Sequence, residues 1–360
     1  MSEPSIGARA TTGGDAAGLQ GQDAGSGGGH QQVVRSTAPR RRSGSGVVRN
    51  GGLVVALLLL CVVGWATAGG RFASFQNVEV ILSLAAVTGV LAIAMTFVII
   101  SGGIDLSVGS VLGLASVWAS TLATQAMAQQ YGWVVMVGCA LAVGLGAGLI
   151  NGVLVAYGRV VAFIATLAML AAARGLAEII AGRRTQIVSV DSFLDTFRGD
   201  LLGLPVIVWI FLVVAVAGWF LLNRTTFGRR TVAVGGNPEA ARLAGINVRR
   251  HTLYLYGLTG LAAGIGGVMM LARTTAGSST HGTLIELDVI AAVVVGGTLL
   301  AGGRGTIVGT VLGVLIFATL TNVFIQNDLN SSVQAVAKGA IIVGAVLLQQ
   351  WSARREASTT

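Results

Sequence analysis

Residues 80–113 read VILSLAAVTGVLAIAMTFVIISGGIDLSVGSVLG, and residues 80–100 carry no charged side chain. At about 1.5 Å rise per residue, a 21-residue run of this kind can cross the roughly 30 Å hydrocarbon core of a bilayer as one helix. Gly102-Gly103 then breaks the helix, and Asp105 or Ser107 can cap the one that follows. Backbone groups freed at such a break can line a polar path. An aspartate is costly against lipid, so Asp105 is expected to face a cavity, a protein partner or the interface. A tight interhelical turn and a direct part in translocation both fit the stretch.

Comparable apolar runs flank it at 53–68, 106–124, 133–157, 160–181, 204–222, 252–272, 287–301, 306–325 and 333–350. Together they predict an all-α integral membrane protein of about ten transmembrane helices. The first run ends in Ala66-Thr67-Ala68, a small-residue pattern like a signal-peptidase site. The basic segment before it is too long for an ordinary signal peptide, so an uncleaved first helix is expected. Residues 1–49 are rich in Gly, Ser, Ala and Gln and end in Arg35, Arg40, Arg41, Arg42 and Arg49. They read as a disordered basic cytoplasmic tail, residues 50–351 as the polytopic domain and 352–360 as a second cytoplasmic tail.

If the basic tail is cytoplasmic and each run crosses once, fifteen of the arginines from Arg35 onward fall inside and five outside, the five being Arg71, Arg183, Arg184, Arg198 and Arg273. This positive-inside bias puts both termini in the cytoplasm, as an even number of spans requires. Trp65, Tyr131 and Trp133 then lie at outer helix ends, and Tyr157, Trp219, Tyr254 and Trp351 at inner ones.

Composition narrows the function classes. With 54% hydrophobic residues, 10% charged and a mean hydropathy of +0.80, the chain lacks the polar surface a water-soluble fold of 360 residues must present. The 53 glycines suit close helix packing in lipid. The net charge of +9 sits in short arginine clusters between apolar runs, which is a topology signal and no nucleic-acid footprint. Cys61 and Cys139 lie inside apolar runs without metal-ligand spacing and read as small buried hydrophobes. No catalytic or metal-ligating set is expected. The only lysine, Lys338, is followed by Gly339, so a phosphate-binding G-x-x-x-x-G-K-[ST] loop is absent. If ATP drives this protein, another subunit hydrolyses it.

Residues 102–113 and 302–313 are identical at seven of twelve positions, including both glycine pairs. Reuse of one hairpin and low-complexity convergence both account for this echo.

The longest cytoplasmic loop, 223–251, contains Gly235-Gly236-Asn237-Pro238-Glu239-Ala240-Ala241-Arg242-Leu243-Ala244-Gly245-Ile246-Asn247-Val248. Asn237 is a preferred N-cap, Pro238 suits the first helical position and Glu239 the positive end of the dipole. Gly245 fits the left-handed C-terminal cap. Two turns of helix are unstable in water alone, so Ala240, Ala241, Leu243 and Ile246 need the bundle or a partner to pack on.

This segment resembles the cytoplasmic coupling motif of permeases in the branched-chain amino acid and ribose-type family of ATP-binding cassette importers. The resemblance implies that Asn237, Pro238, Glu239, Ala240, Ala241, Arg242 and Gly245 dock in a groove of a separate ATPase subunit, whose closure rocks the membrane helices. A surface helix that only covers the bundle is the competing reading. Residues 100–110 resemble the signature of the ribose, xylose and arabinose permeases, and 287–298 with 302–306 are similar to the late helical pair of the same family. Together with the region 130–170, the similarity covers most of the chain from about 80 to 350.

The family implies a multi-pass permease of the bacterial cytoplasmic (inner) membrane, surrounded by lipid and working as a homodimer or with a homologous permease. It implies an extracytoplasmic sugar-binding protein, with ATP and Mg on the partner ATPase and no cofactor, metal or nucleic acid on this chain. The sugar is reached through the resemblance alone. Gly102, Gly103, Asp105, Ser107, Trp118 and Asn151 are the candidates for the translocation path. Three alternatives stand beside this reading: an ion-gradient-driven secondary transporter, a permease of the same family for a non-sugar solute, and a membrane scaffold that moves nothing.

Four smaller expectations complete the picture. Arg174 and Glu178, four residues apart, are expected to pair on one helix. Lys338 is expected to snorkel outward. Gly144, Gly148 and Gly152, like Gly309 and Gly313, have the spacing of packing seams. The charged loop 182–203 suits either contact with a binding protein or plain solvation.

Overall fold

The computed structural model describes residues 45–357; the tail expected over 1–49 lies almost wholly outside the described residues, as do 358–360. Each of the ten apolar runs contains a helix. In chain order they are α1 (Ser45–Ala68), α2 (Phe75–Ile100), α3 (Val108–Ala119), α4 (Leu122–Tyr131), α5 (Val134–Ala156), α6 (Ala162–Ala181), α7 (Asp191–Arg198), α8 (Val206–Arg224), α9 (Thr226–Gly236), α10 (Pro238–Leu243), α11 (Val248–Thr274), α12 (Ile285–Val295), α13 (Ile307–Gln326) and α14 (Ser331–Ala357). Among the described residues seven helices, α1, α2, α5, α6, α8, α11 and α13, are long and apolar enough to cross a membrane. The pair α3 and α4, bent by 62° at Ser120-Thr121, makes up to eight.

The run at 287–301 does not form one crossing helix. α12 has 11 residues, about 16 Å of helix and half a hydrocarbon core. It stops at Val295 because Gly296 is pressed against the Gly309 backbone and Gly297 takes a φ of 87°. The run at 106–124 is likewise divided by the bend after α3.

Burial separates central helices from peripheral ones. Residues 89–100 of α2 are all buried, and every residue of α3 except Trp118 is buried. Helices apolar all round belong at the centre of a bundle. α1 instead exposes Val54, Leu58, Leu59 and Val62, the face a helix turns to lipid. α5 lies along α11 through the predicted glycine seam: a methyl group at Gly144 would collide with the Gly260 carbonyl, and one at Gly148 with the Tyr256 carbonyl. Buried polar pairs fix the neighbours of α2, with Thr96 bonded to Thr310 of α13 at 2.7 Å and Asn77 to Asn322 at 2.7 Å. Cys61 and Cys139 are free and half-buried, so neither is fully enclosed as expected.

The bundle has two ends. One carries the loop 223–251, where the ends of α2 and α5 and the starts of α11 and α13 meet. At the far end, β1 (Gln186–Ile187) pairs antiparallel with β4 (Ala276–Gly277), Gln186 opposite Gly277, while β2 (Asp200–Leu201) and β3 (Leu204–Pro205) close a hairpin. From β4 the chain turns back into the bundle over 278–284 and enters α12. There, Gly109 and Gly113 let the backbone of Gly282 and His281 approach α3.

The two copies of the sequence echo touch. The Gly303 N–H donates to the Ile100 carbonyl at 2.7 Å, and Gly302, with φ 86°, lies against Gly102, with φ 85°. Gly309 and Gly313 serve α13 against α12 as Gly109 and Gly113 serve α3 against 278–286. Shared geometry therefore accounts for the repeated glycines.

Candidate functional site

The segment 225–251 folds as its caps dictate. The Thr225 hydroxyl accepts from the Gly228 N–H at 3.4 Å and starts α9. Asn237, in extended conformation, ends α9 and starts α10, its Oδ1 accepting from the Glu239 and Ala240 N–H groups at 3.0 Å each. Pro238 occupies the first turn. Gly245, at φ 83°, donates to the Arg242 carbonyl, and Ile246 donates to that of Ala241, each at 3.0 Å. These are the paired bonds of a Schellman C-cap. Glu239 and Arg242 pair at 2.8 Å on the open side.

The four apolar residues of α10 and its cap divide between two directions. Ala241 is buried and Ile246 half-buried against the bundle, whereas Ala240 is exposed and Leu243 is 84% exposed. One face of α10 is satisfied internally and the other is open.

α9 ties this element to the helix ends around it. Gly235 lies directly on the Ile100 carbonyl and the Gly303 amide, where no side chain fits. Phe227 packs on Phe97 of α2 at 6.1 Å and on His251 of α11 at 4.7 Å between ring centroids. His251 Nε2 and the Thr231 hydroxyl are 2.9 Å apart. These contacts join α9, which precedes α10, to α2, to the turn before α13 and to the start of α11.

At the break after α2, the Gly102 and Gly103 N–H groups close the helix on Ile99 and Val98, each at 2.9 Å. Asp105 then accepts from the Ser107 N–H at 3.0 Å, the Ser107 hydroxyl at 2.6 Å and the Thr259 hydroxyl at 2.7 Å. Asn151 of α5 donates to the Ser107 hydroxyl at 2.9 Å, and Tyr256 donates to the Ile104 carbonyl at 3.1 Å. Asp105, Ser107, Asn151 and Thr259 are each at most 1% exposed.

The structure thus brings Gly102, Gly103, Asp105, Ser107 and Asn151 together. It leaves Trp118 apart, at the other end of α3 and 43% exposed. Within the chain Asp105 is met by three donors, and those hydrogen bonds supply the polar environment a buried carboxylate needs. Thr259 and Tyr256 were not singled out in the sequence; single hydroxyls in a glycine-rich apolar helix leave no pattern to read.

Two ion-pair expectations also change. Arg174 donates to the carbonyls of Ser279 and His281, tying α6 to the segment 278–284, while Glu178 pairs with Arg183 at 3.3 Å. The guanidinium has several N–H donors and so satisfies two carbonyls of a non-helical segment that have no helical partner. Lys338 pairs with Asp288 of α12 at 2.8 Å instead of reaching outward. In the loop 182–203, α7 buries Phe193 and leaves Asp191, Asp195 and Arg198 exposed. Among the described residues no group of His, Cys, Asp and Glu has the geometry to hold a metal ion.

The model of the family described as branched-chain amino acid transport system / permease component matches residues 77–348. The ribose import permease protein RbsC of Escherichia coli (strain K12) is 40% identical over 287 residues, covering 79% of this chain and 88% of the relative. The L-arabinose ABC transporter permease protein AraH of Azospirillum brasilense is 38% identical over 280 residues, covering 78% and 81%. The xylose transport system permease protein XylH of Escherichia coli (strain K12) is 35% identical over 352 residues, covering 80% and 88%. No solved structure matches.

Proposed function

Because this chain belongs to the family of branched-chain amino acid transport system permease components, we propose that it is the membrane-spanning permease subunit of an ATP-binding cassette importer that translocates a monosaccharide. It is a transport subunit and not an enzyme. The sugar class follows the relatives, whose names specify ribose, L-arabinose and xylose. A separate ATPase subunit, with ATP and Mg, supplies the energy, and an extracytoplasmic binding protein delivers the solute.

The observation that carries the coupling mechanism is the division of α10 into a buried and an open face. Leu243, Ala240 and the Glu239–Arg242 pair form the surface offered to the ATPase; Asn237, Pro238 and Gly245 hold its shape, and Ala241 seats it on the bundle. Closure of the ATPase dimer pushes this rigid element, and the backbone contact of Gly235 with Ile100 and Gly303 passes the push to α2 and α13. The exposed charges of 182–203 suit docking of the binding protein at the far end.

In this reading the ten helical runs make about ten membrane-embedded segments, with both termini in the bacterial cytoplasm and two copies, or this chain and a homologue, enclosing the pore. The arginine asymmetry supports that orientation. Of the translocation-path candidates, Gly102, Gly103, Asp105, Ser107 and Asn151 gather at the hinge after α2, and Trp118 lies at the other end of α3. The test is co-purification: Leu243→Asp should release the ATPase from an otherwise inserted permease, and undiminished co-purification of that variant would count against the docking surface.

A further inference from the structure

The pair Asp288–Lys338 has no part in the coupling element or in the hinge. Asp288 lies in the first turn of the half-length helix α12, and Lys338 lies seven residues into α14, about 10 Å along it. Their side chains are 29% and 19% exposed. An intramembrane ion pair is costly to desolvate, and an apolar contact would join two helices at least as well.

Cavities flank this pair on both sides. One, of about 200 Å³, is bordered by Thr88, Arg273, Phe317 and Thr321; the other, of about 280 Å³, by Thr283 and Gln334. At about 30 Å³ per water the first holds roughly seven waters, a volume that suits a single sugar ring. It lies in the half of the bundle away from α10, where a solute delivered by a binding protein would enter.

We propose that Asp288 and Lys338 form a binding station for a polyhydroxylated solute, which parts the pair and takes its place between them. The proposal rests on the sugar-permease reading and names a site for it. The pair itself is neutral, and Arg273 borders the same cavity as a further donor. It offers carboxylate acceptors and ammonium donors within 2.8 Å of one another. A vicinal diol matches this arrangement: one hydroxyl donates to Asp288 and its neighbour accepts from Lys338. Thr88 and Thr321 add hydroxyls, and the buried Phe317 ring gives the C–H face of a sugar an apolar wall.

A zwitterionic amino acid could also bridge the two charges, and the experiment separates these chemistries. Full-length chain in lipid nanodiscs is heated in the presence of D-ribose, D-xylose, L-arabinose or L-leucine. At least one pentose should raise the unfolding temperature of the wild type and L-leucine should not. Asp288→Asn and Lys338→Met should abolish the shift, while Asp288→Glu, which keeps the pair, should retain a weakened one and guards against a folding defect. A shift produced by L-leucine, a pentose shift that persists in Asp288→Asn, or no shift with any pentose overturns the site. ATP-driven uptake is measured separately. A chain that imports a pentose without showing the shift keeps the importer reading and loses this station.

Discussion

Thr259 is the residue whose removal reports most cleanly on the hydrogen-bonded turn after α2. Its hydroxyl donates to a carboxylate that is almost fully enclosed, and hydrogen bonds to charged groups are worth about 2 kcal/mol. Thr259→Val keeps shape and volume, so the account expects a loss of about that size in thermal unfolding of the detergent-solubilised protein. No measurable loss would show that Asp105 does not depend on this donor. Gly235 is the corresponding residue for coupling. Gly235→Ala places a methyl group against the Ile100 carbonyl and should lower the transport driven per ATP hydrolysed, with the ATPase still bound. Sequence exposed the glycines and Asp105 as a group because they are adjacent, whereas Thr259, 154 positions away, is joined to them only by the fold. Arg174 and Lys338 were misread for a similar reason: helical spacing and depth suggest partners on the same helix or at the surface, and the actual partners come from segment 278–284 and α12.

At the scale of elements, α10 was fully legible because every signal that defines it is local. Asn237, Pro238 and Gly245 fix both ends through backbone geometry within nine residues. Asn237→Ala removes the acceptor for two N–H groups and should cost about 1 kcal/mol of local helix stability. That cost should appear as faster hydrogen exchange confined to 237–246, and unchanged exchange there would mean that the bundle alone holds the helix. The half-length helix α12 was not legible as such. An apolar run of 15 residues at 287–301 does not reveal whether it continues straight or stops at a glycine. What stops it is the close approach of Gly296 to Gly309, a contact with another helix. The bend between α3 and α4 was hidden in the same way, since Ser120 and Thr121 are compatible with a continuous apolar helix.

For the whole molecule, the class of fold follows from composition, since a chain with 54% hydrophobic residues and so little charge has no soluble alternative. The orientation proposed from the arginine asymmetry is open to direct labelling. Single cysteines at Arg249 and Arg198, in a background lacking Cys61 and Cys139, should differ toward a membrane-impermeant maleimide on intact cells: position 198 labelled, position 249 protected. The reverse pattern would place α10 outside the cell and remove its motor. The central claim is that this bundle moves a sugar only when a separate ATPase pushes on α10. Its most direct test is uptake of radiolabelled pentose by proteoliposomes containing the permease, its partner ATPase and the binding protein. Accumulation that requires ATP and ATPase on the α10 side, and stops with Leu243→Asp, is the result expected. Accumulation without the ATPase, sustained by an ion gradient, would contradict the account.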